Sequence, residues 1–147
     1  MPVKSLRVNW ESIWNNRDTS ETIRYKNVLI KLMIANGHIG KKKTINVVSW
    51  KKYAKNIIKI ISPEKKSSLY EVGCGSGALL YLLKDKFQDY GGCDYSQNLV
   101  SIASRYLDKK KIFFLNAKKL QPKKKFDYVI ASSVFEYLTA TEIKKVL

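Results

Sequence analysis

The chain has 147 residues, 45% of them hydrophobic and 12% aromatic, with seven Gly, three Pro and a formal net charge of +16. That size suits one globular domain able to bury a core without staples, and the composition excludes disorder and low-complexity sequence. Two cysteines, Cys74 and Cys93, are too few for a disulfide framework. The N-terminus lacks an apolar signal core, and no apolar run approaches the roughly 20 residues of a membrane span. A cytoplasmic protein with no membrane span is expected.

The charge resembles a nucleic-acid signal, but only four of the 28 basic residues are Arg. Bidentate phosphate and base recognition favours Arg over Lys. Lys51, Lys52, Lys55 and Lys59 also fall opposite an apolar helical stripe, as a solvated face would, so a nucleic-acid partner is the less favoured reading.

Residues 1–66 read as a helical extension. Asp18 and Glu21 form a capping-box pattern, and Ile23, Ile30 and Ile34 trace an apolar face that ends at Gly37. A Lys-rich loop at 40–43 follows. Trp50, Tyr53, Ala54, Ile57, Ile58 and Ile61 then recur at helical spacing, with Ser49 as the expected cap and Ser62-Pro63 as the stop.

From residue 67 onward, strands alternate with helices. Strands are expected at Ser68–Val72, 90–94, 111–115 and 126–131. Helices are expected at 78–87, after Ser96 with Leu99, Ile102, Ala103, Tyr106 and Leu107 inward, and after Thr139 with Glu142 completing a capping box. This order predicts an α/β, Rossmann-like, doubly wound parallel sheet with helices on both faces.

The informative segment runs Glu71-Val72-Gly73-Cys74-Gly75-Ser76-Gly77. Three glycines at alternate positions, between a strand and a helix, let a ligand lie against the backbone at the carboxyl end of the sheet. Asp94 ends the next strand, where an acid can accept hydrogen bonds from both hydroxyls of a ribose. Gly73-x-Gly75-x-x-Ala78 also satisfies a dinucleotide pattern, so NAD is a rival ligand. Glu71 at the turn opposes a pyrophosphate and suits a ligand with a cationic end, which favours S-adenosylmethionine. Cys74 and Cys93 read as small buried packing residues, and no metal site is expected.

The segment 71–77 resembles motif I of the class I S-adenosylmethionine-dependent methyltransferases, in its small-molecule form. Gly92-Cys93-Asp94-Tyr95-Ser96 resembles the second-strand motif, whose acid holds the ribose and whose next residue flanks the adenine. Phe114-Leu115-Asn116-Ala117 resembles the stretch after the third strand, with Asn116 where the family usually has Asp. Residues 126–138 resemble the fourth-strand motif, which faces the methionine part and the substrate, with Tyr137 where His is frequent. The resemblance implies a cofactor site built from Glu71, Gly73, Cys74, Gly75, Gly77, Asp94, Tyr95, Asn116, Ala117 and Ser132. It also implies methyl transfer by in-line attack of a substrate nucleophile.

Glu136, Tyr137 and the single histidine, His38, are the candidate proton-handling residues. Glu136 equally reads as a solvent-facing side chain. Residues 131–134 lack the Asn/Asp-Pro-Pro-aromatic element of amine-methylating relatives, so a hydroxyl of a sugar, lipid or other metabolite is the expected acceptor. Residues 1–66 are expected to form a lid with aromatics Trp10, Trp14, Tyr25, Trp50 and Tyr53, of which Trp50 and Tyr53 also read as core. Residues 67–147 are expected to form a cofactor domain truncated after its fourth strand, its open edge covered by a second copy or a partner chain. The rival functions are an RNA methyltransferase using the basic 41–66 segment, a non-catalytic cofactor-binding module, and an NAD-binding domain.

Overall fold

The structure, a computed structural model, describes residues 9–39, 44–119 and 124–146. The loop expected at 40–43 lies outside the described residues. Four parallel strands form the sheet: β1 (Ser68–Val72), β2 (Asp89–Asp94), β3 (Ile112–Phe114) and β4 (Tyr128–Ile130), in the order β3-β2-β1-β4. The chain winds outward from β1 through β2 to β3, then returns to place β4 on the other side of β1. The reversal sets a topological switch point between β1 and β4, and a crevice opens there at the carboxyl ends of the strands.

Before the sheet come α1 (Trp10–Asn15), α2 (Val28–Ala35) and α3 (Val47–Ile61); within it come α4 (Ala78–Leu83) and α5 (Gln97–Tyr106), with α6 (Ala140–Val146) last. The face bearing Leu69 is covered by a core of Leu79, Leu80, Leu83, Val100 and Ala103, with Ala54 of α3 packed in. A second cluster joins Leu29, Leu32 and Met33 of α2 to Ala78, Leu99 and Ile102. The opposite face carries Val72 and Cys93 against Ala117, while Phe113 and Val129 are 51% and 61% exposed. Its covering comes from the short turn Ala117–Lys119, beside which α6 packs.

Several expectations change at the helix ends. Asp18 accepts from the Ser20 N–H in a local turn instead of opening a long helix, and a 3-10 segment, Ser20–Arg24, leaves Ile23 82% exposed. Asn27 caps α2 by accepting from the Ile30 N–H, so only the later part of the expected apolar face is buried. Gly37 ends α2 as expected: its N–H reaches Ile34 O while the His38 N–H reaches Met33 O, a Schellman arrangement. Asn46, not Ser49, caps α3, because the helix begins three residues earlier and the Ser49 N–H is the group being capped. Ser62 closes α3 in a left-handed conformation before Pro63.

Ser96 caps α5 through the Leu99 N–H, and Thr139 and Glu142 exchange both bonds of a capping box. The helix expected at 78–87 stops at Leu83 and tightens into a 3-10 turn, Lys84–Lys86. The outer strands β3 and β4 are shorter than expected.

Gly77, at φ 81°, starts α4 with its α-carbon against Leu107, whose Cδ1 lies 2.5 Å from where a Cβ would project. Gly77→Ala is therefore expected to lower unfolding free energy by about 1–3 kcal/mol, from left-handed strain and displacement of Leu107. Urea unfolding of the two proteins measures this, and equal midpoints would contradict the account.

Candidate functional site

The crevice is organised by the ends of β1 and β2, where Val72 and Cys93 lie in register. Cys93 O accepts from the Gly73 and Cys74 N–H groups at 2.8 and 2.9 Å, which turns the chain across the end of β2. Asp94, 7% exposed, then accepts the Gly75 N–H at Oδ2 (2.9 Å) and the Ser96 N–H at Oδ1 (2.8 Å). One carboxylate thus ties the glycine turn to the start of α5. The Tyr95 backbone N–H also favours this carboxylate, which still keeps acceptor capacity to spare.

The N-terminal extension completes the turn. Asn36, at the end of α2, occupies the space a Gly75 side chain would fill, and its Oδ1 accepts the Ser76 N–H at 2.7 Å. The Ser76 hydroxyl donates to Leu32 O at 2.6 Å. Gly75 has φ 55°, so both its backbone conformation and this close approach favour glycine.

These elements surround a cavity of about 810 Å³ that follows the strand order. Leu115, Asn116 and Ala117 contribute from the end of β3, Asp94 and Tyr95 from β2, Gly73 and Gly75 from β1, and Ser132–Val134 from β4. Of the residues expected to bind a cofactor, Gly73, Gly75, Asp94, Tyr95, Asn116, Ala117 and Ser132 line the cavity. Glu71, Cys74 and Gly77 lie buried behind the turn and do not reach its surface. Both cysteines are buried free thiols, their pKa values pushed up chiefly by burial. Among the described residues, no group of three His, Cys, Asp or Glu could hold a metal ion.

The three candidate proton-handling residues, His38, Glu136 and Tyr137, all face this cavity. His38 stacks on Trp50 with ring centroids 4.3 Å apart, and burial, then the nearby Arg17 charge, lowers its pKa. It is therefore neutral at ordinary pH, the form that can accept a proton. Burial raises the Tyr137 pKa, as does neighbouring Glu136, and its ring meets Trp10 edge-on at 5.1 Å. Among the lid aromatics, Trp10 and Trp14 line the cavity. Trp50 is half-buried in the core, while Tyr53, 40% exposed, shares a hydrogen bond with the Ser132 hydroxyl at 3.1 Å.

Three residues that line the cavity, and one that packs behind it, belong to no sequence motif. Trp10 and Glu11 arrive on α1: the Tyr95 hydroxyl donates to Trp10 O (3.4 Å), and Asn116 Nδ2 donates to Glu11 Oε1 (2.9 Å). Asn36 was readable only as the polar residue before the helix-ending Gly37. Arg17 packs over Trp14 and against Gly37, donating to Ile34 O, while its Nε is buried without a partner.

Glu71 gives the site its electrostatic character. It is 3% exposed, its Oε2 has no hydrogen-bond partner, and burial followed by repulsion from Asp94 pushes its pKa up to about 8. Burial also raises the Asp94 pKa, against the backbone N–H groups that lower it. Two closely placed buried acids, one with an oxygen lacking a partner, oppose a pyrophosphate and suit a ligand with a cationic end, which lowers the Glu71 pKa again.

Between pH 4.5 and 8 the folded chain keeps a proton on Glu71 that the unfolded chain releases, so this group's stabilising contribution falls as pH rises. Glu71→Gln should match the wild type near pH 4.5 and become progressively more stable than it toward pH 8. Asp89, held near 2 by hydrogen bonds from Lys111 and Lys124, titrates below this window. Thermal midpoints across the window decide the matter, and parallel curves would refute the assignment.

A sequence comparison with curated proteins gives no match. The family described as "Methyltransferase domain" matches residues 70–147, more than half of the chain. Among solved structures, DesVI from Streptomyces venezuelae is 25% identical with a TM-score of 0.59, the match covering 66% of this chain and 43% of that one. CalS10, an amino pentose methyltransferase from Micromonospora echinaspora solved with bound S-adenosylmethionine, is 21% identical with a TM-score of 0.60 and the same coverage. The magnesium protoporphyrin IX methyltransferase of Synechocystis PCC 6803, also with bound S-adenosylmethionine, is 15% identical with a TM-score of 0.61, covering 95% of this chain and 67% of that one. This chain spans less than half the length of DesVI and CalS10, and the likenesses below 25% identity show the fold. With its parallel sheet, its glycine turn and its matched 70–147 segment, the chain belongs to the methyltransferase domain family.

Proposed function

We propose that the chain binds S-adenosylmethionine across the ends of β1 and β2 and transfers its methyl group to a hydroxyl of a small molecule, such as a sugar, a lipid or another metabolite. The observation that carries this reading is the pairing of Asp94, holding the glycine turn, with the buried carboxyl of Glu71, whose Oε2 has no hydrogen-bond partner. The sugar-type acceptor draws support from CalS10, an amino pentose methyltransferase of the same fold.

In this reading the remaining acceptor sites of Asp94 take the ribose hydroxyls, Tyr95 and Ala117 flank the adenine, and Asn116 meets its polar edge. Gly73 and Gly75 let the amino-acid part lie on the backbone, with Ser132 across from them. Glu71, with Cys74 and Gly77 beside it, acts from behind the turn: a cation bound over the turn draws the proton off its carboxyl, and the charge so formed favours the α-ammonium and sulfonium without contact at the cavity surface. Arg17 supplies the opposite charge for the carboxylate, from the corner that also delivers Asn36 and His38. When bound, the cofactor supplies a methyl group already activated on sulfur. The chain's own residues then have to align the acceptor and remove its proton. Neutral His38 is best suited to accept that proton, with Tyr137 and Glu136 also lining the cavity.

The same contacts support a two-part organisation, residues 1–66 as lid and 67–147 as cofactor domain. The lid's α1 carries no buried residue and is held by polar bonds to Tyr95, Ser96 and Asn116. An element attached in this way opens at low cost.

Titration calorimetry with S-adenosylhomocysteine tests the reading. Binding is expected, and Asp94→Ala should weaken it by about tenfold or more, the worth of a hydrogen bond to a charged group. Tight binding of NAD with no response to S-adenosylhomocysteine would overturn the reading. Arg17→Gln should weaken S-adenosylhomocysteine by about tenfold yet leave 5′-methylthioadenosine, which has no carboxylate, unchanged. Equal losses for both ligands would remove Arg17 from the carboxylate site.

A further inference from the structure

The outward face of α3 has no role in the cavity, and its chemistry is distinctive. Val48, Lys51, Lys52, Lys55 and Lys59 fall at i, i+3, i+4, i+7 and i+11, one continuous stripe of the helix. All five are exposed, Val48 at 78%. The helix contains no acidic residue, and none of the ion pairs among the described residues involves these lysines. Beside the stripe, on the same side of the helix as Tyr53, Ile60 is 83% exposed, and the exposed Lys65 and Lys66 follow just past the helix end.

We propose that this face of α3 is a docking surface for an anionic phospholipid bilayer. Four uncompensated lysines on a single 15-residue helix complement a negatively charged lipid surface, where each lysine near the headgroups adds to the attraction. Val48 and Ile60 decide between polyanions. An aliphatic side chain standing almost free in water gains by entering the headgroup boundary and gains nothing from a phosphodiester backbone. Single-stranded nucleic acid would instead call for arginine or stacking aromatics on that face. The one exposed aromatic of α3, Tyr53, lies off the stripe with its hydroxyl engaged by Ser132. Because Ser132 lines the cavity, docking through α3 holds the cavity close to the bilayer surface.

Vesicle co-sedimentation of the whole chain tests this, comparing phosphatidylcholine alone with phosphatidylcholine containing phosphatidylglycerol. Binding is expected only to the anionic vesicles and should weaken as salt rises. Replacing Lys51, Lys52, Lys55 and Lys59 together by Gln should lower partitioning more than tenfold, whereas replacing the same four by Arg should retain it. Val48→Ser with Ile60→Ser should lower it several-fold while leaving the salt dependence intact. Lys109→Gln with Lys110→Gln, exposed lysines between α5 and β3, should bind as the wild type does. The proposal is overturned by equal binding to neutral vesicles, by an undiminished four-Gln variant, by equal loss on removing Lys109 and Lys110, or by preference for single-stranded RNA over anionic vesicles. Because the salt response and the lipid comparison are read on the wild-type chain, a variant that fails to fold leaves the proposal decidable.

Discussion

The site depends on a single bond between two parts of the chain that are 19 positions apart: the Gly75 N–H held by Asp94 Oδ2. A buried carboxylate is costly to desolvate, and Asp94 offsets that cost by accepting backbone donors on both oxygens. Those donors belong to the glycine turn and to the first residues before α5. The same side chain therefore sets the turn's shape, starts the next helix and presents unused acceptor capacity to the cavity. Glu71 lies close enough for repulsion from Asp94 to be felt, with no full set of partners of its own. A floor of two buried acids under a glycine turn, one of them ready to give up its proton to a cationic ligand, is the physical character from which the cofactor preference follows.

Around that floor, the N-terminal extension has two different relations to the sheet. The α2 helix is part of the core, with Leu32 and Met33 fully enclosed against Ala78 and Leu99, and its last turn supplies Asn36 to the glycine turn. The α1 helix lies on the surface, with polar contacts to Tyr95 and Asn116, which line the cavity. One segment is built into the core while the other rests on the surface.

Much of this was legible in the sequence where local chemistry and long-range packing agree. The run Leu69–Gly77 showed a strand, a turn and a helix start, and Ser96, Thr139 and Glu142 showed caps that form as written. The misreadings have local causes. Both Asn46 and Ser49 are good caps, and burial of Val47, which periodicity alone underweights, places the start earlier. Ile23 matched a helical spacing, but the Asp18 side chain bonded its own neighbourhood and broke the helix before it could bury that residue. Arg17 and Asn36 carry no motif because their roles exist only once α2 docks on the turn. Neither the acceptor nor the proton-handling residue could be read from spacing, since both depend on side chains that converge from three separate segments.

The docking of Asn36 on Ser76 spans 40 positions of chain, and Ser76 reaches back 44 positions to Leu32. Closing so long a loop has an entropic cost before any contact rewards it, whereas β1, the turn and α4 can assemble locally. The glycine turn therefore reaches its final shape only after the two halves of the chain have met. Its cavity is a late product of folding, and a chain arrested before that meeting would hold β1 and α4 with an unformed site.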